Sequence, residues 1–175
     1  MNAAVSPRAI VIFPDLPTPT LDAIQAVRRD YDPLAEVIPP HLTLVFPFTS
    51  SLPAQLLEPH MTHIARSVGP FKLELAEVTG SENEYLFLNV KRGNDELIAL
   101  HDRLYTGPLS QHSDPRFTYT PHLTVGRIAD RTAFAAALDD ARARLPHIFG
   151  TTVRAISAYR LGAEGGRAIE STVAL

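Results

Sequence analysis

The feature that most constrains this chain is a five-residue pattern, Pro-His-Leu-Thr followed by an aliphatic residue, which occurs twice. The two copies are residues 40–44 and 121–125, and they contain His41 and His122. A predicted helix and a loop precede each copy, and a helix and a hairpin follow it, at similar spacings. Because both the motif and the order of elements repeat, the sequence indicates an internal duplication.

Apolar periodicity and turn residues predict the elements of each half-repeat. The first half-repeat, about 18–91, contains a helix, a motif strand, a second helix and a hairpin, at 18–30, 41–46, 53–68 and 71–90. The second, about 94–175, contains the same series at 94–105, 122–126, 131–145 and 153–173, with the last hairpin turn at 163–166. A short apolar strand at 8–13 precedes both.

We predict a single domain over residues 1–175 with a bilobal α+β fold. In this fold, two pseudo-symmetric lobes of antiparallel sheet and helices surround a central cleft that both histidine strands reach. The alternative is an α+β domain whose repeat is accidental. That alternative explains the shared motif and the shared spacing less well.

Strand geometry separates each motif into two faces, because successive side chains of a strand point to opposite sides. His41 and Thr43 share one face, and His122 and Thr124 do the same in the second copy. The leucines between them point to the opposite face and can anchor the strand in a core. Preservation of a packing motif would account for the leucines, but it accounts poorly for an imidazole and a hydroxyl that recur together.

Composition excludes several classes of protein. The chain has no cysteines, which rules out disulfides, thiolate metal sites and a cysteine nucleophile. No apolar run approaches the length of a membrane span. The formal net charge of −3 argues against a grip on long nucleic acid and favours a short substrate or one end of an RNA. We expect a cytoplasmic monomer without a membrane partner.

Two imidazoles that face one cleft suit the cleavage of a phosphodiester. Histidine titrates near neutrality, so one can be neutral and accept a proton while the other is charged and donates one. The hydroxyls of Thr43 and Thr124 can donate hydrogen bonds to the non-bridging oxygens. This chemistry requires neither a metal nor another cofactor, and the sequence leaves open which histidine is the base.

The two motifs and the duplicated order resemble the two-histidine (2H) phosphoesterase superfamily, specifically its bacterial 2′-5′ RNA ligase branch. The resemblance covers nearly the whole chain. It implies that His41 and His122 are catalytic and that Thr43 and Thr124 contact the substrate. It also implies a substrate-binding role for Arg127, since an arginine just after the second motif is frequent in the family; the alternative for Arg127 is a solvated charge at the end of the strand.

The resemblance further implies a phosphodiesterase that acts on 2′,3′-cyclic phosphates or 2′-5′ linkages, with reversible ligation as a related activity. The expected partners are RNA ends, short oligonucleotides or nucleotide-derived small molecules. The alternative is an RNA- or nucleotide-binding module without significant turnover. A metallohydrolase that uses both histidines as ligands is disfavoured because neither motif supplies acidic residues.

Several aromatic and histidine side chains outside the motifs are weaker candidates. Tyr119 could stack on a base of the substrate. Core packing is the preferred interpretation for Phe48 and Phe87. A solvent-exposed helix face is preferred for His60 and His63, although their spacing could serve a metal.

Overall fold

The computed structural model describes residues 7–50, 52–161 and 167–175. Within these residues, eight strands and four α-helices alternate along the chain. The strands are β1 (Arg8–Ile12), β2 (Leu42–Phe48), β3 (Phe71–Ser81), β4 (Tyr85–Arg92), β5 (His122–Arg127), β6 (Phe149–Val153), β7 (Ala155–Leu161) and β8 (Arg167–Ala174). The helices are α1 (Thr18–Tyr31), α2 (Ala54–Val68), α3 (Asn94–Leu104) and α4 (Phe134–Arg144), with a 3-10 helix over Gly107–His112.

All described strands join one antiparallel sheet in the order β6-β3-β4-β5-β2-β1-β7-β8. The two motif strands, β5 and β2, are therefore neighbours at its centre. Each half of the sheet combines both sequence repeats, because the first hairpin, β3–β4, pairs with β5 of the second repeat, and β2 of the first repeat lies in the same half as β7 and β8 of the second. The predicted α+β fold is confirmed, with the histidine strands side by side.

The helices pack on the sheet face that carries the motif leucines, and this layer forms the main core. Each helix contributes buried residues to it: Ile24 and Val27, Leu57 and Met61, Leu97 and Leu100, and Ala137 and Ala141. Gly126 permits the close approach of α1 to β5, since a Cβ atom there would lie 2.8 Å from the Cβ of Tyr31. None of the helices in the described ranges is long and apolar enough to cross a membrane.

Helix α2 agrees with the helix predicted over 53–68 and continues through Pro59, because burial of Leu57, Met61 and Ile64 offsets the backbone hydrogen bond that a proline cannot donate. The structure extends the second predicted hairpin: its first strand, predicted from residue 153, is β7, which pairs with β1, and an additional strand, β6, precedes it and pairs with β3. The predicted turn at 163–166 lies outside the described residues.

Candidate active site

The two motifs meet at one antiparallel residue pair, Leu42 opposite Leu123. A local two-fold axis through this pair exchanges His41 with His122 and Thr43 with Thr124. Both leucines are fully buried, so the histidines and threonines point to the other side of the sheet, which we call the cleft face. The sequence-predicted quartet is thus brought together on one surface.

Each histidine donates a hydrogen bond to the carbonyl oxygen two residues before it. The Nδ1 of His41 lies 2.8 Å from the oxygen of Pro39, and the Nδ1 of His122 lies 2.7 Å from that of Thr120. Because a carbonyl can only accept, Nδ1 carries the proton and Nε2 is the atom that exchanges protons. The two imidazoles therefore have the same tautomer and the same orientation relative to their strands.

Burial lowers the pKa of both histidines. The pKa of His41 falls to about 4, chiefly through burial, with further lowering by the charges of Arg28 and Arg167. Burial also lowers the pKa of His122, and its hydrogen bond to Thr120 opposes the shift. Both rings are accordingly neutral near pH 7, and an anionic phosphodiester between them would raise their proton affinity.

The aromatic rings beside the histidines differ. The ring of Phe87 stacks on His122, with centroids 3.6 Å apart and planes 21° apart. Phe13 stands 6.3 Å from His41 at a tilt of 58°. The interpretation of Phe87 as a core residue is wrong: it is half-buried on the cleft face, opposite Thr124. The alternation of Leu86 and Leu88 toward the core was the signal for this placement.

Beyond the single residue pair that β2 shares with β5, three ring side chains form hydrogen bonds with the backbone of β2. The hydroxyl of Tyr119 donates to the carbonyl of Thr43 at 2.8 Å, and Nδ1 of His101 donates to that of Leu44 at 2.7 Å. The hydroxyl of Tyr105 accepts from the backbone N–H of Phe46. These contacts satisfy β2 groups that a neighbouring strand would otherwise pair, so the sheet can open at the motif.

Two further substrate-binding residues were predicted, Tyr119 and Arg127. Tyr119 is one of the three ring side chains that contact β2. Its ring stacks on His101 with centroids 3.8 Å apart and nearly parallel planes. Arg127 lies at the end of β5, exposed, with Nε 2.6 Å from a carboxylate oxygen of Glu84 and its guanidinium over the ring of Tyr85. Their substrate-binding roles remain predictions.

The loop that leads into His41 is held by a buried arginine that the sequence interpretation missed. Arg28 is 1% exposed and pairs with Asp32, with Nε 2.9 Å from the carboxylate. It also donates to the carbonyl of Ile38 at 2.8 Å, immediately before the Pro39 that orients His41. The i,i+4 spacing of Arg28 and Asp32 at the end of a helix was the available signal.

The remaining candidates lie away from this surface. Phe48 is 5% exposed, which confirms its assignment to the core. His60 is half-buried and its Nε2 contacts the carbonyl of Leu104, so it does not project from a solvated face, whereas His63 is exposed. Across the described ranges, no group of three or more histidines and acidic residues is arranged to hold a metal ion.

Comparisons with known proteins show which proteins this chain resembles in sequence. One relative is a protein of Bacillus pumilus that is provisionally named as a phosphoesterase. It is 31% identical over 121 residues, which cover 67% of this chain and 68% of the relative. A similarly named protein of Geobacillus kaustophilus is 28% identical over 155 residues and covers 87% of each chain.

Solved structures show the same fold. E. coli LigT complexed with NADP+ superposes with a TM-score of 0.63 at 18% identity and covers 99% of both chains. Kluyveromyces marxianus Usb1 with uridine monophosphate gives a TM-score of 0.55 at 11% identity, over 98% of this chain and 99% of that one. The family model described as the 2′-5′ RNA ligase superfamily matches residues 14–163. The chain therefore belongs to the 2′-5′ RNA ligase superfamily and is a phosphoesterase.

Proposed function

We propose that this protein is a metal-independent phosphodiesterase that opens 2′,3′-cyclic phosphates or cleaves 2′-5′ linkages in RNA ends or small nucleotides. The observation that carries the proposal is the two-fold arrangement of His41 and His122, each with Nδ1 bound to a backbone carbonyl and Nε2 available. Such a pair supplies one proton acceptor and one proton donor to the two sides of a single phosphorus atom.

In the proposed reaction, a neutral imidazole removes a proton from water through Nε2 as the water oxygen attacks phosphorus. The bond from phosphorus to the ribose 3′-oxygen breaks, and the second imidazole, protonated at Nε2, gives its proton to that oxygen. The products are a 2′-phosphate and a 3′-hydroxyl. The hydroxyls of Thr43 and Thr124 donate to the non-bridging oxygens, where negative charge increases.

The surroundings of the histidines favour His41 as the base and His122 as the acid. Burial disfavours a proton on His41, and the charges of Arg28 and Arg167 add to this effect against the opposing charge of Asp32, so that its pKa is about 4. His122 instead lies against the face of Phe87, and a π face stabilises an adjacent cation. The same two roles exchange in the reverse, ligating direction.

Structures of the same fold support a nucleotide substrate. E. coli LigT has been solved with ATP, with 3′-AMP and with phosphate, and the Kluyveromyces Usb1 structure contains uridine monophosphate. A nucleotide-derived small molecule, such as a cyclic phosphate of ADP-ribose, is favoured over long RNA by the net charge of −3. We propose that the protein acts as a cytoplasmic monomer on such substrates or on RNA ends.

The proposal is tested by hydrolysis of adenosine 2′,3′-cyclic phosphate in the presence of a chelator. We expect turnover to adenosine 2′-phosphate that is unaffected by the chelator and is lowered by about 10²- to 10⁴-fold in both His41→Ala and His122→Ala. Loss of activity in the chelator would contradict a metal-independent reaction. If the wild type turns over neither this compound, nor a 2′-5′ dinucleotide, nor a cyclic phosphate of ADP-ribose, the binding-module alternative is supported.

A further inference from the structure

Arg167, the first residue of β8, lies on the His41 side of the cleft face. It is half-buried, and its guanidinium donates to the carbonyl of Val37 at 3.0 Å. The guanidinium carbon lies 5.8 Å from the centre of the Phe13 ring. The position of this side chain is therefore fixed both by a hydrogen bond and by an aromatic face.

Phe13 connects Arg167 to the active site. Its ring is the one that stands 6.3 Å from the ring of His41, so a single side chain separates the guanidinium from the imidazole. The charge of Arg167 is close enough to contribute to the lowered pKa of His41. Arg167 therefore lies one aromatic ring away from the histidine at which the proposed reaction places the scissile phosphate.

The charge of Arg167 differs from that of the other arginines near the cleft. Arg28 is paired with Asp32, and Arg127 is paired with Glu84. Within the part of the chain that the structure describes, no carboxylate lies within 4.0 Å of Arg167. A half-buried guanidinium that has no such carboxylate nearby favours the binding of an anionic ligand. It can bind a phosphate through two parallel hydrogen bonds.

Arg167 also lines a cavity between α1 and the loop that precedes β2. The cavity has a volume of about 430 Å³, which is in the range of small-molecule sites. Phe13 and Val37 contribute to its wall, and so do the carboxylates of Asp22 and Glu36. Both carboxylates are exposed, so solvent and salt screen their charges more than that of Arg167.

We propose that Arg167 binds a second phosphate of the substrate, one ribose away from the scissile phosphodiester and on the His41 side. The preferred substrates are then nucleotides that carry another phosphate on the same ribose, rather than nucleosides with an isolated cyclic phosphate. This second phosphate is either a terminal 5′-phosphate or the diester that leads to the next nucleotide. The inference rests on the proposed function and narrows its substrate class.

The test compares kcat/KM for three substrates: adenosine 2′,3′-cyclic phosphate with a free 5′-hydroxyl, its 5′-phosphorylated form, and a dinucleotide that ends in a 2′,3′-cyclic phosphate. We expect the wild type to prefer at least one of the latter two by about tenfold or more, which corresponds to about 1.4 kcal/mol. The substrate that is preferred identifies the source of the second phosphate.

In Arg167→Gln, the ratio of kcat/KM between the phosphorylated substrates and the 5′-hydroxyl substrate should fall to about 1, and this ratio is independent of any change that loss of the charge near His41 causes on all three substrates alike. The matched control is Arg66→Gln, which removes an equal charge from an exposed position on α2, and it should retain the preference. Equal turnover of all three substrates by the wild type would overturn the inference, and so would a uniform loss on all three in Arg167→Gln.

A binding measurement separates this inference from the proposed reaction. Adenosine 2′,5′-bisphosphate should bind the wild type about tenfold more tightly than adenosine 2′-phosphate, and Arg167→Gln should remove the difference. If the wild type shows that difference but no turnover, the second phosphate site stands and the proposed reaction fails. If the two ligands bind equally to the wild type while turnover is observed, the reaction stands and the second phosphate site fails.

Discussion

The two sides of the cleft share a motif and differ in everything that surrounds it. On both sides a proline precedes the histidine, Nδ1 donates to the carbonyl two residues back, and a threonine follows on the same face. On the first side, the charges of Arg28, Asp32 and Arg167 act on His41, and Phe13 stands beside it at a tilt. On the second side, His122 is covered by Phe87, and the nearby Arg127 is paired with Glu84.

This difference indicates that the duplication preserved the orientation of the two imidazoles but not their proton affinities. Backbone carbonyls set the orientation, and both copies retain them. The neighbouring side chains set the preferred protonation state, and these come from different elements on the two sides. A symmetric motif can therefore supply an asymmetric acid–base pair.

The largest expected effect separates the roles of the two histidines. His41→Ala and His122→Ala should each lower kcat on adenosine 2′,3′-cyclic phosphate by about 10²- to 10⁴-fold. With a 4-nitrophenyl ester of a nucleotide, whose leaving group needs no proton, His122→Ala should recover most of its activity, whereas His41→Ala should not. Recovery in His41→Ala alone would reverse the assignment of base and acid.

The pH dependence tests the lowered pKa values. The base must be neutral, which holds above a pKa of about 4 for His41, and the acid must be protonated, which holds below the pKa of His122. Because burial lowers the latter from its ordinary value of 6.5, kcat/KM should rise as the pH falls from 8 to 6. A profile of kcat/KM that is maximal above pH 7 would contradict this environment for His122.

Phe87→Leu removes the aromatic face from His122 and retains most of the apolar bulk. We expect the pKa of His122 to fall further and kcat to drop by about two- to tenfold, in line with an aromatic contact of about 0.5–1.5 kcal/mol. Titration of the His122 ring protons by NMR measures the first effect directly. Phe13→Leu is the control on the other side, and it should leave the pKa of His122 unchanged.

The smallest effect is expected for Tyr119→Phe, which deletes the hydroxyl bound to the carbonyl of Thr43. Loss of this hydrogen bond should cost about 0.5–1.5 kcal/mol in the free energy of unfolding, measured by denaturant titration, and it should lower kcat by less than about fivefold. The predicted role of Tyr119 in stacking on a base is tested by Tyr119→Leu, since loss of the ring would then raise KM more than Tyr119→Phe does.

The sequence was sufficient to predict the parts of the molecule that depend on local pattern. The repeated order of elements predicted the fold class, and strand alternation placed His41, Thr43, His122 and Thr124 on one face. The same alternation, applied to Tyr85–Arg92, would have placed Phe87 beside them. That residue was misassigned because aromatic residues in strands are common in cores, and the pattern of its neighbours was given too little weight.

The residues that the sequence did not reveal act through contacts between distant segments. His101 reaches Leu44 from helix α3, and Arg167 reaches Val37 from β8. No periodicity in one segment encodes such a contact, because it depends on how two elements pack. Arg28 is an intermediate case, since its partner Asp32 is local whereas its bond to Ile38 depends on the path of the loop.

Each hairpin pairs with a strand outside its own repeat, and this arrangement affects how the chain folds. Strand β1 pairs with β7, so Ala9 meets Tyr159 from nearly the opposite end of the sequence. Contacts of such long range form late, because the loop between them must be closed before they are gained. Neither sequence repeat contains a complete half of the sheet, so we expect separately expressed repeats to remain unstructured and a mixture of the two to recover the fold. We therefore expect the duplicated chain to fold as one cooperative unit, in which β7 and β8 complete the half of the sheet to which β1 and β2 belong.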